Sequence, residues 1–308
     1  MKELWTEKYR PKTVDEYVFT DDNHKSQIES YIKEGSVPHL LIHGPAGTGK
    51  TTLAKVLVNQ LNIDDYDFLQ VNASRDNGVD YLRNKIEGFV STLPFGHLKI
   101  VLLDEADYLS HNAQALMRGL METYHSQARF ILTCNFDYKI IAPLKSRCQD
   151  LHINKTDQTE FTARAATILV KENVEFELDT LDSYVKATYP DLRKCLNLLQ
   201  ANSIGNILVN AKDTTSSSTQ DYRLAVVELF KSKRIKEARK LLCSQARPEE
   251  MEDVFRWMYD NLDIWSKTDE GQDEAILIIR KGLVNHAIVA DPEINLSATI
   301  VELAGISS

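Results

Sequence analysis

Residues 40–51 read LLIHGPAGTGKT: an apolar run, a glycine-rich turn, then a lysine and a threonine that open a helical pattern over 51–61. Leu40, Leu41 and Ile42 have the character of a buried strand, so the order is strand, glycine loop, helix. A loop in that setting turns its backbone N–H groups inward, and the positive end of the helix dipole adds to their attraction for anions. Gly44, Gly47 and Gly49 let the backbone approach closely. The spacing GxxxxGKT therefore predicts a phosphate cradle, with Lys50 directed to the β and γ phosphates of ATP and the Thr51 hydroxyl to Mg²⁺.

Further along, residues 100–103 read IVLL and run into Asp104, Glu105 and Asp107. A continuous apolar run of this kind belongs to a strand covered on both faces. Ligands of open α/β sheets lie beyond the carboxyl ends of the strands, which brings Asp104 to the metal and Glu105 within reach of an attacking water. Glu105 is the general base in this reading.

Strand-like runs recur at 40–43, 68–72, 100–104, 129–134 and 150–153, with helical segments between the first four, which predicts a parallel five-stranded α/β sheet over 1–154. From 156 to 208 the pattern becomes purely helical, with apolar faces at Leu181, Tyr184 and Val185 and at Leu192, Leu196 and Leu199. A small helical domain is expected at 155–212. Residues 213–219, DTTSSST, read as a polar linker, and helical periodicity returns over 222–230, 235–242, 251–265 and 275–290 in an all-helical domain at 220–308.

The 308 residues are 43% apolar, ample for packed cores, and carry 36 Lys and Arg against 45 Asp and Glu, a net charge of −9. That balance excludes a protein coated uniformly in nucleic acid and confines any such contact to a local patch. Cys134, Cys148, Cys195 and Cys243 show no CxxC pairing, so reduced intracellular thiols are expected rather than a zinc site. No run approaches eighteen consecutive apolar residues, and MKELWTEKYRP has no apolar signal core, so the expectation is a cytoplasmic protein with no membrane partner.

Taken in order, WTEKYRPKTVDE, GPAGTGKTT, NASRDNGVDYLRNKI, LLDEADYLSHNAQALMRGLME, TCN, SRC and PDLRKCLNLLQ resemble the small ATPase subunits of replication factor C clamp loaders over residues 1 to about 200. NASRDNGVD and SRC discriminate far better than the phosphate loop. The C-terminal third is similar only in length and helicity. The short chain, MRGLMETY and YPDLRK look more like the ATPase subunit of tailed-phage clamp loaders, for which the location would be the host cytoplasm. The fold implied is an AAA+ module with a helical lid and a helical collar.

The resemblance implies adenine and ribose contacts around Thr6, Glu7, Lys8, Tyr9 and Val18, and phosphate contacts at Gly47, Thr48, Gly49, Lys50, Thr51 and Thr52. Asn135 matches the sensor that orients the attacking water, Arg193 the sensor of the lid, and Arg147 the finger inserted into a neighbour's site, which implies a ring or spiral of copies together with a distinct loader subunit. Tyr9 fits simple packing as well, and Arg147 fits a salt bridge capping the preceding helix. Primer-template DNA is implied at Arg75, Asn77, Gly78, Val79, Arg83, Ser110 and Asn112, through backbone contacts that are sequence-independent and salt-sensitive. A sliding clamp is implied at Phe89, Leu93 and Phe95, although Phe89 and Leu93 serve equally as core residues.

The implied activity is ATP hydrolysis that drives clamp loading. Two other readings use the same motifs: an AAA+ helicase or remodeller, and a nucleotide-binding scaffold that does not hydrolyse. A DEAD-box helicase needs a second α/β lobe, which the helical C-terminal third does not supply.

Overall fold

The computed structural model describes residues 3–76, 78–210, 222–247 and 250–306. The expected 213–219 linker and Asn77 lie outside them. Contacts divide the chain into two compact units, one of residues 7–157 and one that joins residues 3–6 to the chain from 158 onward.

In the first unit, α1 (Trp5–Lys8), which straddles the division, and α2 (Asp22–Glu34) precede β1 (Leu40–His43). Then α3 (Lys50–Gln60) leads to β2 (Phe68–Asn72). Next, α4 (Val79–Leu82) runs through a π-turn at Arg83–Glu87 into α5 (Gly88–Val90) and on to β3 (Lys99–Asp104). Finally α6 (His111–Thr123) leads to β4 (Ala128–Cys134), and α7 (Ala142–Lys145) to β5 (Gln149–His152). The five strands are all parallel, in the order β2-β3-β4-β1-β5.

The apolar runs are explained by two cores, one on each face of the sheet. Leu40, Ile42, Ile100, Leu102 and Ile131 join α3 residues Leu53, Ala54 and Leu57 in one core. The alternate positions Leu41, Val101, Leu103, Phe130 and Leu132 join Leu82 and Ile86 and the α6 residues Ala113, Met117 and Leu120 in the other. Period-two alternation with both faces buried leaves 40–42 and 100–103 no polar positions, and IVLL is the result.

The second unit contains α8 (Gln158–Lys171), α9 (Leu178–Thr188) and α10 (Leu192–Asn202), then α11 (Tyr222–Lys231), α12 (Ile235–Gln245), α13 (Met251–Asp260), α14 (Asp269–His286) and α15 (Pro292–Ala304). The purely helical expectation for 156–208 is corrected by a two-stranded ribbon, β6 (Ser203–Ile204) with β7 (Ile207–Leu208). Gly205 and Asn206 both sit at positive φ, 60° and 64°, the conformation a two-residue hairpin turn requires. The helix expected over 251–265 stops at Asp260, and a 3₁₀ turn at Leu262–Ile264 replaces its last part. Helix α15 escaped the periodicity reading despite an Asp291 cap, which accepts from the Glu293 and Ile294 N–H groups, and a proline at its first position.

A charged seam joins α9 to α11 and to the 262–264 turn. Lys186 Nζ lies 3.1 Å from Asp182 and 2.7 Å from Asp263, and Lys231 Nζ lies 2.8 Å from Asp182 and 3.0 Å from Asp179. Among the described residues no helix is long and apolar enough to cross a membrane.

Candidate active site

Parallel register decides which strand ends meet. Pairing of Leu103 with Leu132 and of His43 with Cys134 brings the carboxyl ends of β3, β4 and β1 side by side, with the glycine loop rising from the last of these. Asp104 therefore stands opposite Thr133, and Asn135 follows immediately beyond β4. The consequence is a short hydrogen-bond network. Thr51 Oγ1 donates to Asp104 Oδ1 at 2.7 Å, and Thr133 Oγ1 donates to the same oxygen at 2.5 Å. Thr133 also accepts the Glu105 N–H at 3.3 Å, so one buried hydroxyl fixes both acidic residues. Thr133 was invisible in the sequence, where TCN drew attention only to its asparagine.

The glycine loop is built as a cradle. Gly44, Gly47 and Gly49 have φ of 148°, 77° and 89°, values that L-side chains rarely adopt. At Gly44 there is also no room, because a Cβ would lie 2.1 Å from the Ile153 carbonyl oxygen. Lys50 is buried at the start of α3, and its ammonium donates to the Gly44 and Pro45 carbonyls at 2.8 and 2.6 Å. Tyr17 closes the loop from the N-terminal side, with its hydroxyl 3.3 Å from the Thr48 carbonyl oxygen and its ring 3.2 Å from the place a Gly49 Cβ would take. Sequence reading singled out the neighbouring Val18 and passed over Tyr17.

These residues fit a magnesium nucleotide. A hydroxyl and a carboxylate oxygen 2.7 Å apart form a hard-oxygen pair suited to Mg²⁺, and they adjoin a loop whose open side only glycine backbone can line. Glu105 follows Asp104 in the left-handed region, φ 59° and ψ 45°. That conformation costs a non-glycine residue about 1–2 kcal/mol, and it turns the chain sharply at the end of β3. Asp107 is buried, and its Oδ1 has no hydrogen-bond partner among the described residues. Burial, followed by the charge of Asp107, pushes the Cys134 thiol up to about 12, which removes it as a nucleophile.

Among the other sequence-derived positions, Glu7, Lys8, Tyr9 and Val18 belong to the unit of the glycine loop, whereas Thr6 and Arg193 belong to the other unit. Arg193 is exposed at the start of α10. Arg147 follows α7, and its guanidinium donates to the Pro143 carbonyl at 2.6 Å and to the Glu122 carboxylate of α6. The carbonyl bond caps α7, whereas the ion pair runs to α6 rather than to the preceding helix.

The positions matched to DNA cluster at two helix starts. Gly78 caps α4, and Ser110 caps α6 by accepting the Ala113 N–H. Side chains of both helices enter the same core, Val79 being packed against it, while Arg75, Arg83 and Asn112 are exposed. On the loop after α5, Leu93 and Phe95 are 80% and 79% exposed. Phe89 differs from them: it packs partly buried against the core under the Lys99 ammonium.

A parallel sheet of this order, with a glycine cradle after β1 and a hydrogen-bonded acidic end on β3, defines a P-loop ATPase of the AAA class. The family model for the ATPase family associated with various cellular activities (AAA) matches residues 40–156. In solved structures the fold is shared by the RuvB Holliday junction branch migration motor of Thermotoga maritima, with a TM-score of 0.58 at 18% identity over 73% of this chain and 78% of that one.

Among curated proteins, the replication factor C small subunit of Picrophilus torridus is 41% identical over 67% of this chain and 66% of its own length. That of Methanocella arvoryzae is 36% identical over 93% and 81%, and that of Sulfolobus acidocaldarius 36% identical over 98% and 95%. The chain belongs to the replication factor C small-subunit family. It spans just under two thirds of the P. torridus relative, whereas the other two alignments run nearly the full length of this chain.

Proposed function

We propose that this protein is the ATPase subunit of a sliding-clamp loader acting in DNA replication. ATP binding by an assembly of such subunits opens the clamp and engages primer-template DNA, and hydrolysis releases the closed clamp on the duplex. The observation that carries the reading is the network in which Thr51 and Thr133 both donate to Asp104 while Thr133 holds the Glu105 backbone. It ties the phosphate loop, the metal-binding carboxylate and the base to one another before substrate arrives, which is how positioning lowers the barrier.

In this mechanism Lys50 leaves the Gly44 and Pro45 carbonyls for the phosphate oxygens, exchanging neutral acceptors for charged ones. Thr51 and Asp104 would hold Mg²⁺, which would supply positive charge to offset that of the phosphates. Glu105 takes the proton from the attacking water, and Asn135 orients that water. Arg147 completes the site of a neighbouring copy. A second, different loader subunit joins the assembly, and the lean toward phage loaders rests on MRGLMETY and YPDLRK.

The two-helix-start cluster supports DNA tracking, because helix N-termini and exposed arginines attract phosphates without reading bases. The deciding experiment is Glu105→Gln in the assembled loader. ATP affinity should persist and hydrolysis should fall by at least about 10²-fold, trapping loader on clamp and DNA. Normal turnover in that variant removes Glu105 as the base, and strand separation by the wild type would favour the helicase reading.

A further inference from the structure

The exposed loop between α5 and β3 is held from beneath by two buried charged residues, neither of which belongs to the nucleotide site. Asp67 is fully buried, yet its two oxygens accept the consecutive N–H groups of Phe95 at 3.0 Å and Gly96 at 2.7 Å. Lys99 is also buried, donates to the Phe89 carbonyl at 2.8 Å and to the Thr92 hydroxyl, and lies 4.6 Å from the centre of the Phe89 ring. Parallel register places these two residues next to each other, one step before the Phe68–Ile100 pair, at the amino-terminal edge of the sheet. The glycine loop rises from the opposite, carboxyl-terminal edge.

What the tethers present is apolar. Phe95 and Leu93 project from the loop, and Tyr66, on the 3₁₀ turn Asp65–Asp67, is 75% exposed with its ring 5.5 Å from that of Phe95. Asp64 caps that turn by accepting the Tyr66 N–H at 2.9 Å. Burying a carboxylate and an ammonium in order to keep three large apolar side chains in water runs against stability, since buried charge is costly and exposed apolar area gains nothing. The arrangement does lower the cost of binding, because a loop already fixed in its bound form loses little further freedom.

We propose that Asp67 is a positioning residue that presets a two-ring anchor of Phe95 and Tyr66 for an apolar pocket on the sliding clamp. The proposal rests on the clamp-loader reading and adds to it a residue that never touches the clamp and a second aromatic contact outside the loop. Asp67 acts only through the loop backbone, so its effect on clamp binding must pass through Phe95.

The test is a double-mutant cycle on the assembled loader with the sliding clamp of the same organism. Clamp affinity is measured for Phe95→Ala, Asp67→Asn and the double variant, alongside Tyr66→Ala and basal ATPase. Phe95→Ala and Asp67→Asn should each weaken binding on the order of tenfold, Tyr66→Ala should weaken it severalfold, and the double variant should be no weaker than Phe95→Ala alone. Basal ATPase should be unchanged in all.

Additive losses, or full affinity in Asp67→Asn while Phe95→Ala is weak, overturn the positioning role and leave the clamp reading standing. Full affinity in Phe95→Ala overturns the docking reading itself and the proposal with it. Amide exchange decides the case in which Asp67→Asn does not fold. The Phe95 and Gly96 N–H groups of the clamp-free wild-type loader should be protected, and exchange at the rate of an unstructured loop refutes the preset anchor.

Discussion

Replacing Arg147 by alanine separates what the side chain does for its own subunit from what it does for a neighbour. Within the chain, Arg147 bonds Glu122 and the Pro143 carbonyl, with side chains 35% and 46% exposed across the ion pair. A pair so open to water contributes about 0–1 kcal/mol, and the carbonyl bond about 1 kcal/mol. Stability should thus fall by no more than about 2 kcal/mol. A finger acting on phosphoryl transfer in trans is worth roughly 10³ to 10⁵ in turnover, about 4–7 kcal/mol.

The trans effect exceeds the cost of releasing Glu122, so the observed pairing does not prevent the finger from working. The assay is a covalently linked pair carrying Arg147→Ala in one half and Glu105→Gln in the other, made in both orders. Only one order leaves an intact Glu105 facing an intact Arg147, and only that order should hydrolyse ATP at the shared interface. Equal activity in the two orders, with assembly verified, refutes action across the interface. So does a loss of stability large enough to account for the loss of turnover.

Gly44→Ala should destabilise the protein by roughly 3 kcal/mol or more and abolish ATP binding, because the new Cβ meets the Ile153 carbonyl oxygen at 2.1 Å; an unchanged denaturation midpoint would contradict the cradle geometry. His39 Nδ1 accepts the Phe130 N–H at 3.0 Å, and burial, helped by the charges of Arg129 and His125, holds its pKa down to about 4 from 6.5. Between those values the unfolded chain binds a proton that the folded chain refuses, so stability should fall as pH drops through that window, by at most about 3 kcal/mol. Urea midpoints at neutral and acid pH should converge in His39→Asn, which keeps an acceptor for the Phe130 N–H; an undiminished pH dependence assigns the effect elsewhere. Replacing Arg75 and Arg83 together should lower the slope of log affinity for DNA against log salt by up to about 2, with little dependence on sequence. Identical slopes would remove both residues from the DNA path.

The central strands β1 and β3 and their burial are legible in the residues alone, because a stretch covered on both faces must be apolar, and 40–42 and 100–103 are. The glycine cradle and the acidic end of β3 are legible there too, since a phosphate loop needs fixed residue types at fixed local spacing. Where local chemistry is shared between alternatives the residues do not choose: 203–208 fits a helical pattern, yet Gly205 and Asn206 turn the chain back into a hairpin.

Which distant residues cooperate is settled by strand pairing and packing. Thr133 became part of the acidic centre because parallel register sets it opposite Asp104, and Tyr17 part of the loop because its ring closes on Gly49. Phe89 and Phe95 look alike in the chain, yet one is drawn toward the core under Lys99 and the other is held in water by Asp67. Sequence patterns carry periodicity and local spacing, whereas a hydrogen bond between residues 29 positions apart, like that of Thr133 to Asp104, exists only once the strands have paired.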